Sequence, residues 1–168
     1  MDTYKLKQLI TSALMAALTC FTTYIIRIPS TTGYIHPGDS FVILSGIILG
    51  PIYGGLSAGV GSMLADLLAG YPQFAIVTLL IKASTAIVSA FMYRLLKRNV
   101  YSVITAGILG GIVVTLGYFI VEYFMYDLGG ALSSIPLNAV QNLFGIVLST
   151  MLYPLLVKVP QVKDLMKK

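Results

Sequence analysis

Residues 41–69, FVILSGIILGPIYGGLSAGVGSMLADLLA, form a long apolar stretch in which Asp66 is the only charged side chain. A transmembrane helix needs about 20 apolar residues, so this stretch is long enough to enter a membrane. Gly50-Pro51 interrupts it, and glycine and proline commonly end helices. We predict a short span over 41–49 and a longer one over 52–69. The alternative is a single long hairpin, kinked at Gly50-Pro51.

The whole chain has the composition of a membrane protein. It contains 168 residues, of which 57% are hydrophobic and 10% are charged, and its mean hydropathy is +0.89. A soluble domain usually carries about 25% charged residues, and six spans would use roughly 120 positions. No room remains for a soluble domain, and the single cysteine excludes a disulfide scaffold. We predict one all-α domain over 1–168, an integral membrane bundle of six transmembrane helices, whose other spans are 6–26, 73–96, 103–126 and 137–157.

The basic residues indicate how the bundle is oriented. Nine of the 11 lysines and arginines lie at or next to the start of the first span, the connection between the fourth and fifth spans, or the C-terminal tail. With six spans these three regions lie on one side, which the positive-inside rule assigns to the cytoplasm. We therefore expect a multi-pass protein of the cell membrane with both termini cytoplasmic. The pI near 9.3 then reflects topology and contact with the lipid bilayer, and it does not indicate a nucleic-acid partner.

Polar side chains inside the spans are few, and they lie toward one side of the membrane. Burying a polar group in a bilayer is costly, so each is a candidate for function. The predicted topology puts all of them toward the outer face: Asp66, Lys82, Glu122, Asn138, Gln141 and Asn142. A pore would need polar residues along its whole length, so this asymmetry favours a one-sided binding site.

Helical spacing arranges these groups in polar and aromatic stripes on the last three spans. The stripes are Phe74, Thr78, Lys82 and Thr85; Tyr118, Glu122 and Tyr126; and Asn138, Gln141, Asn142 and Gly145. Turned toward each other, they would form a pocket that is open to the outside and suits a small, flat, hydroxylated ligand. The polar loop 27–40, which contains His36 and Asp39, is placed to cover it. With these two loop residues, the substrate-binding candidates are Tyr71, Phe74, Thr78, Lys82, Tyr118, Glu122, Asn138, Gln141 and Asn142.

Structural roles remain open for several of these side chains. One alternative is that Lys82 and Glu122 neutralise each other as a buried ion pair, and another is that the amides of the sixth span only bond across helices. Asp66 is more typical of a loop contact, and Asp39 of an N-terminal helix cap or near-cap. We expect no metal site at His36, because no cluster of cysteine or histidine accompanies it.

Four stretches resemble a known family. They are Ala13-Leu-Met-Ala-Ala17, Ile35-His-Pro-Gly-Asp39, Leu49-Gly-Pro-Ile-Tyr-Gly-Gly55 and Gly61-Ser-Met-Leu-Ala-Asp66. In this order, on a short six-span chain with a lysine-rich N-terminus, they resemble the substrate-binding S component of energy-coupling factor (ECF) transporters, which take up vitamins. The similarity is greatest to the subgroup with riboflavin-type and hydroxymethylpyrimidine- or pyridoxine-type members.

The resemblance implies partners as well as a ligand. Members bind a vitamin near the outer face and deliver it by association with a transmembrane coupling subunit and two ATPase subunits. Ala13 and Ala17 would form the docking surface, with Ala16 as the neighbouring small residue. ATP hydrolysis would belong to the partners, in line with the missing P-loop, so we expect neither enzymatic activity nor a cofactor in this chain.

The resemblance also implies roles within the pocket. Lys82, Glu122 and the amides of the sixth span would hydrogen-bond the substrate, while Phe74, Tyr118 or Tyr71 would stack on it. The compact stripes favour a small vitamin over folate or cobalamin. Pyridoxine or hydroxymethylpyrimidine is the first candidate, followed by riboflavin and pantothenate. The alternatives are a membrane assembly partner with no transport role and a facilitator that needs no partner.

Overall fold

The computed structural model describes residues 3–29 and 34–167, and nearly all of them are helical. Five long helices precede a short one: α1 (Thr3–Ile25), α2 (Asp39–Ala69), α3 (Pro72–Leu95), α4 (Val100–Met125), α5 (Leu128–Leu156) and α6 (Pro160–Met166). Between α1 and α2, strand β1 (Ile28–Pro29) pairs antiparallel with strand β2 (Tyr34–Ile35). The all-α prediction is confirmed, and α1, α3 and α4 lie within a few residues of the predicted spans.

Helix α2 reverses its direction at Gly50. This glycine has φ 80° and ψ −176°, a conformation that residues with a side chain rarely adopt, and Pro51 lacks the N–H of a regular helical residue. A Cβ placed on Gly54 would lie 2.7 Å from the Cα of Gly46, whereas a straight helix would separate the two residues by about 12 Å. The halves 39–49 and 51–69 therefore run back along each other as a helical hairpin.

The outside of the bundle is apolar. Large side chains such as Phe124, Leu95 and Ile52 are 82%, 74% and 71% exposed, a surface that suits lipid better than water. Within residues 3–29 and 34–167, five helices are long and apolar enough to cross a membrane. The number of such helices is one fewer than the six predicted spans, because the predicted spans 41–49 and 52–69 are the two halves of α2.

Small residues bring the helices into close contact. A side chain on Gly46 would collide with the backbone carbonyl of Ala86 in α3, and one on Gly61 with the carbonyl of Ala16 in α1. Gly111 of α4 packs against Asn142 of α5: a Cβ built on Gly111 would lie 3.0 Å from the Asn142 side chain. These contacts explain the glycine spacing in the sequence, because glycine allows two helix backbones to approach closely.

We expect Gly46→Val to destabilise the protein severely, by about 3 kcal/mol or more, because the obstructing atoms belong to the backbone of α3 and cannot rotate away. The measurement is thermal unfolding of the purified protein in detergent. The control is Gly129→Ala at the exposed start of α5, where the nearest atom is a side-chain oxygen of Asp127 at 3.2 Å. Equal melting temperatures for the two variants would contradict the close contact at Gly46.

One end of the bundle holds both chain termini. Lys7 of α1 and Asp164 of α6 form an ion pair at 3.2 Å, and α6 buries Val162 and Leu165 in the apolar core at that end. The carboxyl of Asp164 is exposed, and its hydrogen bonds with Lys167 and Lys7 lower its pKa. The turn at Gly50 contacts the side chain of Arg94 and so lies at this end too.

Helix α5 starts nine residues earlier than predicted. We predicted a Gly/Ser loop over 127–136, yet the helix begins at Leu128. The carboxylate of Asp127 accepts a hydrogen bond from the Gly130 N–H at 2.7 Å and caps the first turn. Ala131 and Ser134 are buried against the bundle, so packing compensates for the poor helix propensity of this segment.

Candidate functional site

A small cavity of about 70 Å³ opens at the end of the bundle opposite the termini. The short β-hairpin, the end of α2, the start of α3, the end of α4 and the start of α5 surround it. Its lining consists of Tyr34, Ile35, His36, Asp66, Tyr71, Phe74, Thr78, Tyr118, Glu122, Ser134, Leu137, Asn138 and Gln141.

Aromatic rings form much of the wall. Tyr34 of β2 lies 5.3 Å from Tyr71, centroid to centroid, and 5.5 Å from His36. On the other side, Phe74 lies 6.5 Å from Tyr118. The rings within each pair are tilted at 47° to 59°, so the cavity offers both ring faces and ring edges. Such walls suit a flat aromatic ligand.

A buried ion pair lies directly beneath this cavity. Lys82 Nζ donates to Asp39 Oδ1 at 2.6 Å, and the two side chains are only 0% and 4% exposed. Gln141 Nε2 donates to the other carboxylate oxygen of Asp39 at 2.9 Å, and Gln141 Oε1 accepts from the backbone N–H of His36 at 3.3 Å. These hydrogen bonds join α3, α2 and α5 to the loop that contains His36. They hold the Gln141 side chain in place from the side away from the cavity.

One alternative for these charged residues is wrong. Lys82 pairs with Asp39 and not with Glu122, and its ammonium lies 5.5 Å from the centre of the Tyr118 ring. Asp39 lies at the near-cap position, directly after the cap residue Gly38, and its carboxylate accepts from Lys82 and Gln141. A charge buried this deeply needs a partner, which explains the geometry.

Two other carboxylates face the cavity itself. Tyr34 Oη donates to Asp66 Oδ1 at 2.7 Å, which fastens the β-hairpin to the end of α2. The expected loop contact of Asp66 is therefore present, although the same side chain also lines the cavity. The second oxygens, Asp66 Oδ2 and Glu122 Oε2, are buried and have no hydrogen-bond partner within the described part of the chain.

His36 is a neutral imidazole that orders the loop. Burial lowers its pKa to about 4, against a smaller opposing effect of the Asp39 carboxylate. Its Nδ1 accepts from the Gly38 N–H at 3.2 Å, so the proton of the neutral ring is assigned to Nε2. Burial and the nearby Asp66 raise the pKa of Tyr34, whose hydroxyl remains a donor. Among the described residues, no three histidine, cysteine or acidic side chains form a metal cluster.

Eight of the eleven predicted binding residues line the cavity: His36, Tyr71, Phe74, Thr78, Tyr118, Glu122, Asn138 and Gln141. Lys82 and Asp39 lie beneath it. Asn142 faces away, donating to the Gly111 carbonyl at 2.8 Å and to Thr115 Oγ1 at 3.0 Å across the α4–α5 contact. Asn142 therefore makes hydrogen bonds between helices, which was the alternative to a role in ligand binding.

Sequence reasoning missed five lining residues: Tyr34, Ile35, Asp66, Ser134 and Leu137. Asp66 carried a signal, since it is a carboxylate inside a predicted span. Ser134 was hidden by the loop predicted over 127–136, and Leu137 has no feature that distinguishes it from other apolar residues. Tyr34 lies in a segment without periodicity, where no spacing rule applies.

The alanines of α1 lie on its outer face. Ala13 and Ala17 are exposed and one turn apart, whereas Ala16 is partly buried, and its carbonyl lies under Gly61 of α2. Ala13 and Ala17 therefore leave a shallow surface between larger exposed side chains, such as Leu14 at 56% and Ile10 at 60% exposure.

Comparison with known proteins agrees with this architecture. Residues 3–158 match the family model of the "ECF-type riboflavin transporter, S component". The chain is 37% identical over 129 residues to an "Uncharacterized protein in gap 3'region" of Pyrococcus woesei, which covers 76% of this chain and 86% of that protein. A solved structure of the S component of a bacterial ECF transporter is similar with a TM-score of 0.75 and 25% identity, over 92% of this chain and 97% of that one. The chain belongs to the family of S components of ECF-type riboflavin transporters.

Proposed function

We propose that this protein is the vitamin-binding subunit of an ECF importer, with the cavity at the outer face of the cell membrane and both termini in the cytoplasm. The hairpin of α2 would provide the second and third of six crossings. The observation that carries the proposal is the aromatic, polar cavity at the end opposite the termini, in a chain of this family. A coupling subunit and two ATPase subunits would complete the transporter.

Riboflavin is the first candidate for the substrate. The family description names it, and the paired rings of Tyr34 with Tyr71 and of Phe74 with Tyr118 suit a flat tricyclic ring system. Asn138 and Gln141 offer amides to its polar edge. Pyridoxine and hydroxymethylpyrimidine, which the sequence alone favoured, remain the second candidates because they are also flat and hydroxylated.

The test is native mass spectrometry of the full chain, purified from cells grown with a mixture of vitamins, followed by titration with each vitamin. We expect a stoichiometric flavin. Asn138→Ala removes an amide that lines the cavity and should weaken binding by about tenfold. Asn142→Ala is the matched control, since that amide contacts α4, and should change affinity by less than about threefold.

Two results would contradict the proposal. A protein that retains no vitamin and responds to none in titrations would favour a membrane assembly partner, with the polar stripes serving only to hold helices together. Uptake into vesicles that contain this chain alone, without ATP, would favour a facilitator that needs no partner.

A further inference from the structure

We propose that Asp66 and Glu122 make the cavity a charge filter, which accepts hydrogen-bond-donating, neutral or cationic vitamins and rejects their phosphate esters. The inference rests on the proposed function, since it concerns the selectivity of the same cavity. It assigns to these two carboxylates a role in specificity that neither the fold nor the membership of the family requires.

The first argument is the state of the two carboxylates. Asp66 and Glu122 are 7% and 5% exposed, and one buried oxygen of each lacks a geometric hydrogen bond within the described part of the chain, with the Thr78 hydroxyl beside Asp66 as a nearby donor. Buried polar atoms are nearly always hydrogen-bonded, and an exception needs an explanation. Both side chains line the cavity, so a ligand is the natural source of the missing donors. A carboxylate accepts hydrogen bonds and cannot donate them, so the ligand must supply hydroxyl or N–H groups.

The second argument is the balance of charge. The charge of Lys82, the nearest buried cation, is already matched by Asp39 at 2.6 Å beneath the cavity. His36 lines the cavity as a neutral ring. Residues 30–33 of the loop, Ser-Thr-Thr-Gly, add no charge. The described lining therefore holds two carboxylates and no cation.

Within the described part of the chain, Arg27 is the one cation near the mouth. Its guanidinium carbon lies 4.6 Å from the centre of the Tyr24 ring and 6.0 Å from that of Tyr34, and the residue is exposed. It is therefore stacked on the outside of the aromatic wall, where water screens its charge. An anion inside the cavity would face Asp66 and Glu122 in surroundings of lower dielectric constant, where repulsion is stronger.

The experiment compares each vitamin with its own phosphate ester on the purified full chain. Riboflavin is titrated against riboflavin 5′-phosphate, and pyridoxine against pyridoxine 5′-phosphate. We expect the ester to bind at least about a hundredfold more weakly than the vitamin that binds. Glu122→Gln and Asp66→Asn keep the shape of the side chains, and each should reduce that ratio by about tenfold, mainly by improving binding of the ester. Asp127→Asn, a carboxylate outside the lining, is the control and should leave the ratio unchanged.

The outcomes separate this inference from the proposed function. If a vitamin binds and its ester binds equally well, or if Glu122→Gln and Asp66→Asn leave the ratio unchanged, the charge filter is wrong and the proposed function stands. If none of the unphosphorylated vitamins binds, both are wrong. If the cavity rejects phosphate esters, a vitamin supplied as its phosphate ester must first lose the phosphate in a phosphatase-type reaction before this protein can bind it.

Discussion

The variant Lys82→Met is expected to lose about 3–5 kcal/mol of stability, because it leaves the Asp39 carboxylate buried without its counter-charge. Lys82 is 0% exposed and Asp39 3% exposed, so water cannot replace the lost ammonium. The measurement is thermal unfolding in detergent, together with the yield of folded protein in size-exclusion chromatography. We expect a large decrease in the melting temperature and in the yield of folded protein.

A double variant separates a structural role of Lys82 from a role in binding. Lys82→Met combined with Asp39→Asn removes both charges while keeping an oxygen that can accept from Gln141 Nε2. It should recover most of the stability that the single variant loses, because no unpaired charge remains. If Lys82→Met instead keeps the melting temperature of the unmodified protein and loses only ligand binding, Lys82 contacts the substrate directly, as the sequence first suggested.

The second large effect is expected on α1. Ala17→Leu should abolish vitamin uptake in cells and leave binding by the purified protein unchanged. Ala17 and Ala13 are exposed, so a larger side chain meets no atom of this chain's core, but it would keep a partner helix at a greater distance. The measurements are uptake of labelled vitamin in cells that carry the complete transporter and titration of the isolated subunit.

Ala139→Leu is the matched control for that experiment. Ala139 is also exposed, but it lies on α5 beside the groove between α4 and α5. A leucine at position 139 should therefore leave vitamin uptake at the level of the unmodified protein. Normal uptake by Ala17→Leu would show that the exposed alanines of α1 are not a docking surface.

Much of this fold could be predicted from the sequence because a membrane imposes simple rules. An apolar run of the right length must be helical, so α1, α3 and α4 follow directly from composition. The same cost of burying polar groups identified Glu122 and Gln141 as candidates, and both line the cavity. Helical periodicity then brought Phe74, Thr78 and Tyr118 to the same wall.

The rest depends on contacts between segments that are distant in the chain. Lys82 and Asp39 are 43 residues apart, and neither position carries a local sign of the other. Asp39 follows turn-forming residues, so a helix cap was the simplest local interpretation. The early start of α5 likewise depends on a cap by Asp127 and on burial of Ser134, which local propensity does not include.

The unequal halves of α2 determine how deep the ligand would lie. At 1.5 Å per residue, residues 39–49 extend about 16 Å from the turn at Gly50, and residues 51–69 about 28 Å. Asp39 therefore stops about 12 Å short of the level that Ala69 reaches. With Ala69 at the outer boundary of a hydrocarbon core about 30 Å thick, a ligand just above Asp39 would lie roughly a third of the way into the membrane.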